Sequence, residues 1–170
     1  MNTFTKIKSE ELTRNPFTMI GKDWFLVTAE KEGVVNTMTA SWGGLGILWF
    51  KNVAYIFLRP QRYTKEFVDA GETLSLSVLN DSFREQLSFL GKVSGRDDPD
   101  KIKKSGLTVR KADNGTPFFD EAEVVLICKK LFAQEFNPDS ILIPEIHEKM
   151  YPNKDYHTMY VCEIEEILVR

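Results

Sequence analysis

Two stretches of this sequence concentrate groups able to hold an anionic or a flat polar ligand. Arg59-Pro60-Gln61-Arg62-Tyr63-Thr64-Lys65 sets two arginines three residues apart, beside a hydroxyl and the start of a predicted helix. Guanidinium forks match phosphate oxygens two at a time, and a helix N-terminus adds unpaired N–H donors and a favourable dipole. The segment reads as a phosphate site; the alternative is an exposed basic turn with Arg59 in a salt bridge. Asn36-Thr37-Met38-Thr39-Ala40-Ser41-Trp42-Gly43-Gly44-Leu45-Gly46 puts small and hydroxyl residues at a strand end, before a glycine-rich turn. Glycine lets backbone N–H groups come close to a ligand; the alternative is a barrel corner with a glycine bulge. Gly44-Leu45-Gly46 is not a dinucleotide fingerprint, because the third glycine is missing and no helix follows.

Lys92-Val93-Ser94-Gly95-Arg96-Asp97 offers a hydroxyl and a cation to a ligand, or forms a solvated loop. His157, one of two histidines, stands where a turn meets the last strand. An ordinary histidine pKa near 6.5 would let its charge change across physiological pH; the alternative is a capping or surface role. No Ser/His/Asp order suggests a hydrolase. His147 has no second histidine at helical spacing, so it reads as an exposed helical residue and no metal site is expected.

The elements that must position these residues are mostly strands. Trp24–Ala29 and Val34–Ala40 form a hairpin around Glu30–Gly33, and Val53–Leu58 reads as a strand buried on both faces. Thr73–Leu79 alternates Leu74, Leu76 and Val78 with Ser75 and Ser77, so one face should meet something polar. Glu123–Phe132 and Thr158–Val169 return to strand character. The helices are short: Thr64–Ala70 before Gly71, a helix opened by a Ser82-to-Glu85 capping box, and a charged, exposed turn or two over Asp98–Lys104. This pattern suits one mainly β domain over 1–170, a closed antiparallel barrel with peripheral helices, and not a parallel βαβ sheet.

Composition narrows the function. With 22 Lys+Arg against 25 Asp+Glu the net charge is −3, which argues against nucleic acid. Cys128 and Cys162 lie apart in apolar stretches, without metal or redox spacing, as half-buried inert thiols of a reducing cytosol. Met1 to Asn15 is polar and lacks the apolar core of a signal peptide, and no apolar stretch approaches the ~20 residues that span a bilayer. A cytoplasmic protein without membrane contact is expected.

In order along the chain, Asn36 to Trp42, Arg59-x-x-Arg62-Tyr63-Thr64, Leu76-x-Val78-Leu79, Ser94-Gly95-Arg96 and His157-Thr158-Met159-Tyr160 resemble the flavin reductase-like family. The resemblance runs from about Asn15 to Arg170, and the wording of the first two motifs matches the members called flavoredoxins. It implies a split, Greek-key β-barrel that binds FMN at a homodimer interface. Thr39, Ala40, Ser41 and Trp42 would then line the flavin ring, largely through backbone groups, with Asn36 and Met38 also among the cofactor-binding residues. Arg59, Gln61, Arg62, Tyr63 and Thr64 would hold the ribityl phosphate with Lys92 or Ser94, and His157 would sit near the ring and a nicotinamide pocket. The implied activity is hydride transfer between NAD(P)H and flavin; the alternative is an FMN electron carrier reduced by a partner protein. Trp42 and Trp49 are bulkier than their counterparts in many reductases, a departure that bears on the space above the ring.

Overall fold

Ten strands and five short α-helices make up the described residues, 3–170, of a computed structural model. The first two residues of the polar amino-terminal stretch lie outside them. In chain order the elements are β1 (Thr5–Ile7), α1 (Pro16–Thr18), β2 (Phe25–Lys31), β3 (Val34–Ala40), β4 (Gly43–Leu48), β5 (Lys51–Leu58), α2 (Tyr63–Ala70), β6 (Thr73–Val78), α3 (Arg84–Lys92), α4 (Lys101–Ser105), β7 (Val109–Lys111), β8 (Pro117–Phe119), β9 (Val124–Glu135), α5 (Pro144–Met150) and β10 (Thr158–Val169). Eight strands form one antiparallel sheet in the order β3-β2-β6-β9-β10-β5-β4, with β1 added beside β10; β7 and β8 form a separate ribbon. The two ends of that order, β3 and β4, are consecutive in the chain and do not pair with each other among the described residues. Only Ser41 and Trp42 join them, so the sheet is a barrel left split at this link. Register breaks between β9 and β10 at Val161/Cys162 and Ile164/Glu166 bend the two longest strands, as bulges do.

The period-2 alternation of the strands divides the core in two. Phe25, Val27, Leu74, Leu76, Leu126, Ile56 and Tyr160 pack inside with Phe67 and Val68 of α2. Leu26, Val125 and Ile127 point the other way and meet Leu87 and Leu90 of α3 with Phe118 and Phe119 of β8. Each such aliphatic or aromatic side chain contributes about 1.5–3 kcal/mol on burial, so α2 and α3 are held firmly on opposite sides of β2 and β3. The mainly β, antiparallel architecture with short helices is the one expected.

Several local expectations change. The glycine-rich turn is instead β4: Gly43, Gly44 and Gly46 pair with Ile56, Tyr55 and Val53 of β5. A Cβ on Gly43 would stand 2.6 Å from the Tyr55 carbonyl oxygen, and the Tyr55 ring covers Gly44 and Gly46, so these glycines allow close strand contact. The turn itself falls at Trp49 and Phe50, both left-handed (φ 51° and 58°). On β5, Ala54, Ile56 and Leu58 are buried, but Tyr55 and Phe57 on the other face are only half covered. Both faces of β6 are buried, because Ser75 Oγ donates to the Pro117 carbonyl (2.6 Å) and Ser77 Oγ accepts from the Phe119 N–H (3.3 Å). Asn80, not Ser82, caps the turn leading into α3, accepting from the Ser82 N–H at 3.0 Å. Cys128 and Cys162 are fully buried rather than half-buried, and burial lifts both thiols, Cys162 to about 12.

Candidate cofactor site

The split between β3 and β4, the start of α2 and the end of α3 converge on one cleft. Three adjoining hollows of about 150, 180 and 250 Å³ share Arg62 as a common wall. Between them they bring together Met38, Thr39, Ala40, Ser41, Trp42, Arg59, Gln61, Arg62, Tyr63, Thr64, Lys92, Ser94 and His157. Asn36 lies behind this wall, buried, with Nδ2 donating to Thr64 Oγ1 at 3.0 Å. It ties β3 to α2 and has no open face on the cleft.

One end is cationic. Its 150 Å³ hollow is lined by Gln61, Arg62, Tyr63, Thr64, Lys92, Ser94 and Lys101. Arg62 is the N-cap of α2, yet its side chain does not cap the helix, so the first N–H groups of α2 remain available. Its guanidinium donates to the Gly91 carbonyl (2.8 Å) and reaches the Thr39 carbonyl (3.5 Å). No carboxylate bonds to Arg62 among the described residues, and burial pulls its pKa below the ordinary value. The loop after α3 is packed closely: a Cβ on Gly95 would stand 2.4 Å from Asn36 Oδ1, and the Arg96 guanidinium lies 4.9 Å from the Tyr63 ring centre while bridging to Glu66.

The other end is aromatic. The Trp42 and His157 ring centres are 5.3 Å apart, with Phe57 in the same wall. Thr39 Oγ1 donates to the Leu87 carbonyl at 2.5 Å, which fixes α3 on the edge strand. The Thr39 carbonyl faces Arg62, and a strand residue's N–H points the same way as its carbonyl, so a backbone donor also faces the cleft. His157 Nδ1 lies 2.8 Å from the Tyr151 hydroxyl. Burial first, and then the Arg59 charge, lower the His157 pKa to about 4. The expectation of a charge change near pH 6.5 is therefore corrected: this imidazole is neutral at physiological pH.

Arg59 stands at this aromatic end and not in the hollow of Thr64 and Lys92. Its Nη1 donates to Asp155 Oδ2 (2.6 Å) and its Nη2 to the Met150 carbonyl (2.9 Å), over the Tyr151 ring. Gln61 Nε2 donates to the same Asp155 oxygen at 2.8 Å. The salt-bridge alternative for Arg59 is thus the one present. Trp49 lines none of these hollows; it packs on Phe132 at the β4–β5 turn. His147 is half-buried on α5, its Nε2 3.3 Å from the Tyr156 hydroxyl.

Three contributors escaped the sequence reading. Lys101 of α4, expected to be exposed, is 2% exposed and lines the cationic hollow. Its signal was the apolar Ile102 and Leu107 nearby, which anchor α4 against the second core. Trp24 walls the third hollow with φ 69° and ψ 171°, a region left almost wholly to glycine, and Arg84 stacks on it at 4.2 Å. Nothing local in the sequence signals that backbone. The third is Tyr151, at the end of α5, which bonds His157 and underlies Arg59. Beyond Trp42, a fourth hollow of about 500 Å³ lies between α1 and β4, lined by Phe17, Ile20, Leu45 and Phe57 and sharing Ser41 and Trp42 with the cleft.

A family model described as "Flavin reductase like domain" matches residues 19–170. An uncharacterized protein of Aeropyrum pernix is 29% identical over 102 residues, a match covering 59% of this chain and 38% of that protein. Among solved structures, an FMN-binding domain of a flavin reductases-like enzyme from Shewanella baltica superposes with a TM-score of 0.73 at 17% identity, covering 99% of this chain and 78% of that one. A flavoredoxin from Methanosarcina acetivorans superposes with a TM-score of 0.69 at 16% identity, covering 98% and 76%.

Proposed function

We propose, from the premise that this chain belongs to the flavin reductase-like family, that it binds FMN in the cleft and passes hydride from NADH or NADPH to flavin. The observation that carries this reading is a single cleft with one cationic end and one aromatic end, joined through Arg62. The residues fit the group. A guanidinium free of carboxylates beside open helix N–H donors suits a phosphate, and flat walls of Trp42 and His157 suit a ring system.

Bound there, a flavin supplies reversible two-electron chemistry that the chain's own side chains lack. Arg62, the first N–H groups of α2, Lys92 and Ser94 hold the phosphate; Gln61, Tyr63 and Thr64 shape its hollow. Thr39, Ala40 and Ser41 line the ring through backbone groups, over Met38. Trp42 and His157 fix its plane. The Tyr151 hydroxyl at Nδ1 orients the His157 ring, which stays neutral across neutral pH. The 500 Å³ hollow beside Trp42 gives a second flat ring room to lie alongside, which favours the reductase over the carrier. The test is anaerobic addition of NADH or NADPH to FMN-loaded protein. Loss of the yellow absorbance is expected; bound FMN that neither nucleotide bleaches would instead favour a carrier reduced by a partner protein.

A homodimer belongs to the same proposal. Ile47, Trp49 and Phe50 project from the β4–β5 turn, with Leu142, Ile143 and Ile146 exposed around α5. A two-fold contact would bury such a surface in both copies. Sedimentation should give twice the 19.6 kDa chain mass; a monomer at micromolar concentration with FMN bound would exclude it.

A further inference from the structure

Arg59 reaches the aromatic end of the cleft with its counter-charge behind it. β5 and β10 run antiparallel with Leu58 opposite Thr158, so the residues just after β5 lie beside those just before β10. Arg59 Nη1 donates to Asp155 Oδ2 at 2.6 Å, and Gln61 Nε2 donates to the same oxygen at 2.8 Å. Arg59 Nη2 donates to the Met150 carbonyl at the end of α5, where a cation also suits the helix dipole. Gln61 and Arg59 hold the Asp155 carboxyl below its ordinary pKa, so it is ionised at neutral pH. Arg59 lines the hollow of about 180 Å³ with Trp42 and His157, whereas Asp155 lines none of the three hollows of the cleft. The pair is thus oriented, cation toward the cleft and anion away from it. Asp155 Oδ1 is buried with no partner among the described residues. Such an orphaned oxygen costs stability and a partly buried ion pair adds little to it, so stability alone does not account for the arrangement. The field at this end is net positive: at His157 the Arg59 charge, which favours the neutral imidazole, outweighs Asp155, which opposes it.

Resting on the flavin reading above, we infer that the Arg59–Asp155 pair sets the reduction potential of the bound ring, its cationic end favouring the reduced form. A hydride leaves the nicotinamide with both electrons of its C–H bond and bonds to the ring, and the nicotinamide gains one positive charge. The ring gains one negative charge until a proton follows. A cation facing the hollow stabilises that charge, the carboxylate behind it moderates the effect, and both act more strongly where water is partly excluded. On that reading Arg62 serves the phosphate, and His157 is neutral at physiological pH. Among the residues lining this hollow, Arg59 is therefore the charge left to act on the ring.

The midpoint potential of bound FMN, measured by anaerobic dye equilibration at pH 7, tests this in wild type, Arg59→Met, Arg59→Lys and Asp155→Asn. Arg59→Met should lower the potential, and Arg59→Lys should recover part of the loss. Asp155→Asn keeps an oxygen for the guanidinium but removes the negative end, so it should raise the potential. In binding terms the ratio of reduced to oxidised FMN affinity should move about five-fold or more, down in Arg59→Met and up in Asp155→Asn. A pair that only braces the fold would shift both variants the same way or neither, and either result overturns the proposal. Should Arg59→Met fail to fold, Asp155→Asn decides, and an unchanged or lowered potential there overturns it. If wild type binds no FMN, the flavin reading is what fails, and NMR titration of His157 then reads the same field without a flavin. A His157 pKa raised above about 4 in Arg59→Lys or Arg59→Met keeps the positive field at this end, and an unchanged value removes it.

Discussion

Arg59 and Arg62 leave the same strand end three residues apart, yet they meet opposite surroundings. Arg59 is matched by Asp155 at 2.6 Å, shared with Gln61, and lies at the aromatic end of the cleft. Among the described residues Arg62 hydrogen-bonds only to carbonyl oxygens, and it shares its hollow with a second cation. A matched charge braces structure, whereas the unmatched one is, on the proposed reading, the ligand's partner. The difference lies in what other segments bring to each, Asp155 from 96 residues away to Arg59 and the Gly91 and Thr39 carbonyls to Arg62, and not in the arginines.

Mutation can sharpen that contrast. Arg62→Ala removes a charge-assisted contact of roughly 1.5–3 kcal/mol, so FMN affinity measured by fluorescence quenching should fall by one to two orders of magnitude. Arg59→Ala should cost FMN much less while lowering the melting temperature, since Asp155 keeps a buried Oδ1 already without a partner. Equal FMN losses from the two variants would erase the distinction. At the aromatic end, His157→Ala should slow anaerobic flavin reduction by NAD(P)H roughly ten-fold, equivalent to about 1.4 kcal/mol, with FMN affinity nearly unchanged. Unaltered stopped-flow rates would return His157 to a structural part, and lost FMN binding would make it a direct ligand.

The smallest effect concerns acid. The folded pKa of His157, about 4, lies below its unfolded value near 6.5. Between those values the unfolded chain binds the extra proton, so stability on this account is constant above pH 6.5 and falls as pH drops toward 4. Melting curves across pH 4–7 should show a slope that His157→Phe flattens. The wild-type reduction rate should show no inflection near pH 6.5 from this residue.

Much of the fold and part of the site were legible in sequence, but the contrast between the two arginines was not. The strands of β2, β3, β6, β9 and β10 announce themselves through alternation and β-branched residues, and the segments 36–42 and 59–65 stand out by residue type. β4 does not, since glycine is poor in strands by propensity; Gly43 is there because the Tyr55 carbonyl leaves no room for a Cβ. Lys101 reads as surface because charged runs usually are, and only the apolar anchoring of α4 turns it inward. That Asp155 reaches Arg59 and not Arg62 is a tertiary fact without local signature.

The place of β10 has a consequence for synthesis. It is hydrogen-bonded along β5 and β9 and carries β1 on its edge, and His157 directly precedes it. About a hundred residues separate the end of β5 at Leu58 from Thr158. At a ribosomal pace of about 5–20 residues per second, that gap lasts roughly 5–20 s. Through that interval the emerging chain carries β5 with one edge unmet and its Ala54, Ile56 and Leu58 uncovered, a surface on which strands of other chains can add. The residues of the cationic end have all emerged with α4, and the second core that seats α3 and α4 follows with Phe118, Phe119, Val125 and Ile127, still ahead of His157 and the aromatic end. An anionic ligand that docks early on Arg62 would hold β3, α2 and α3 together while the barrel still waits for its last strand.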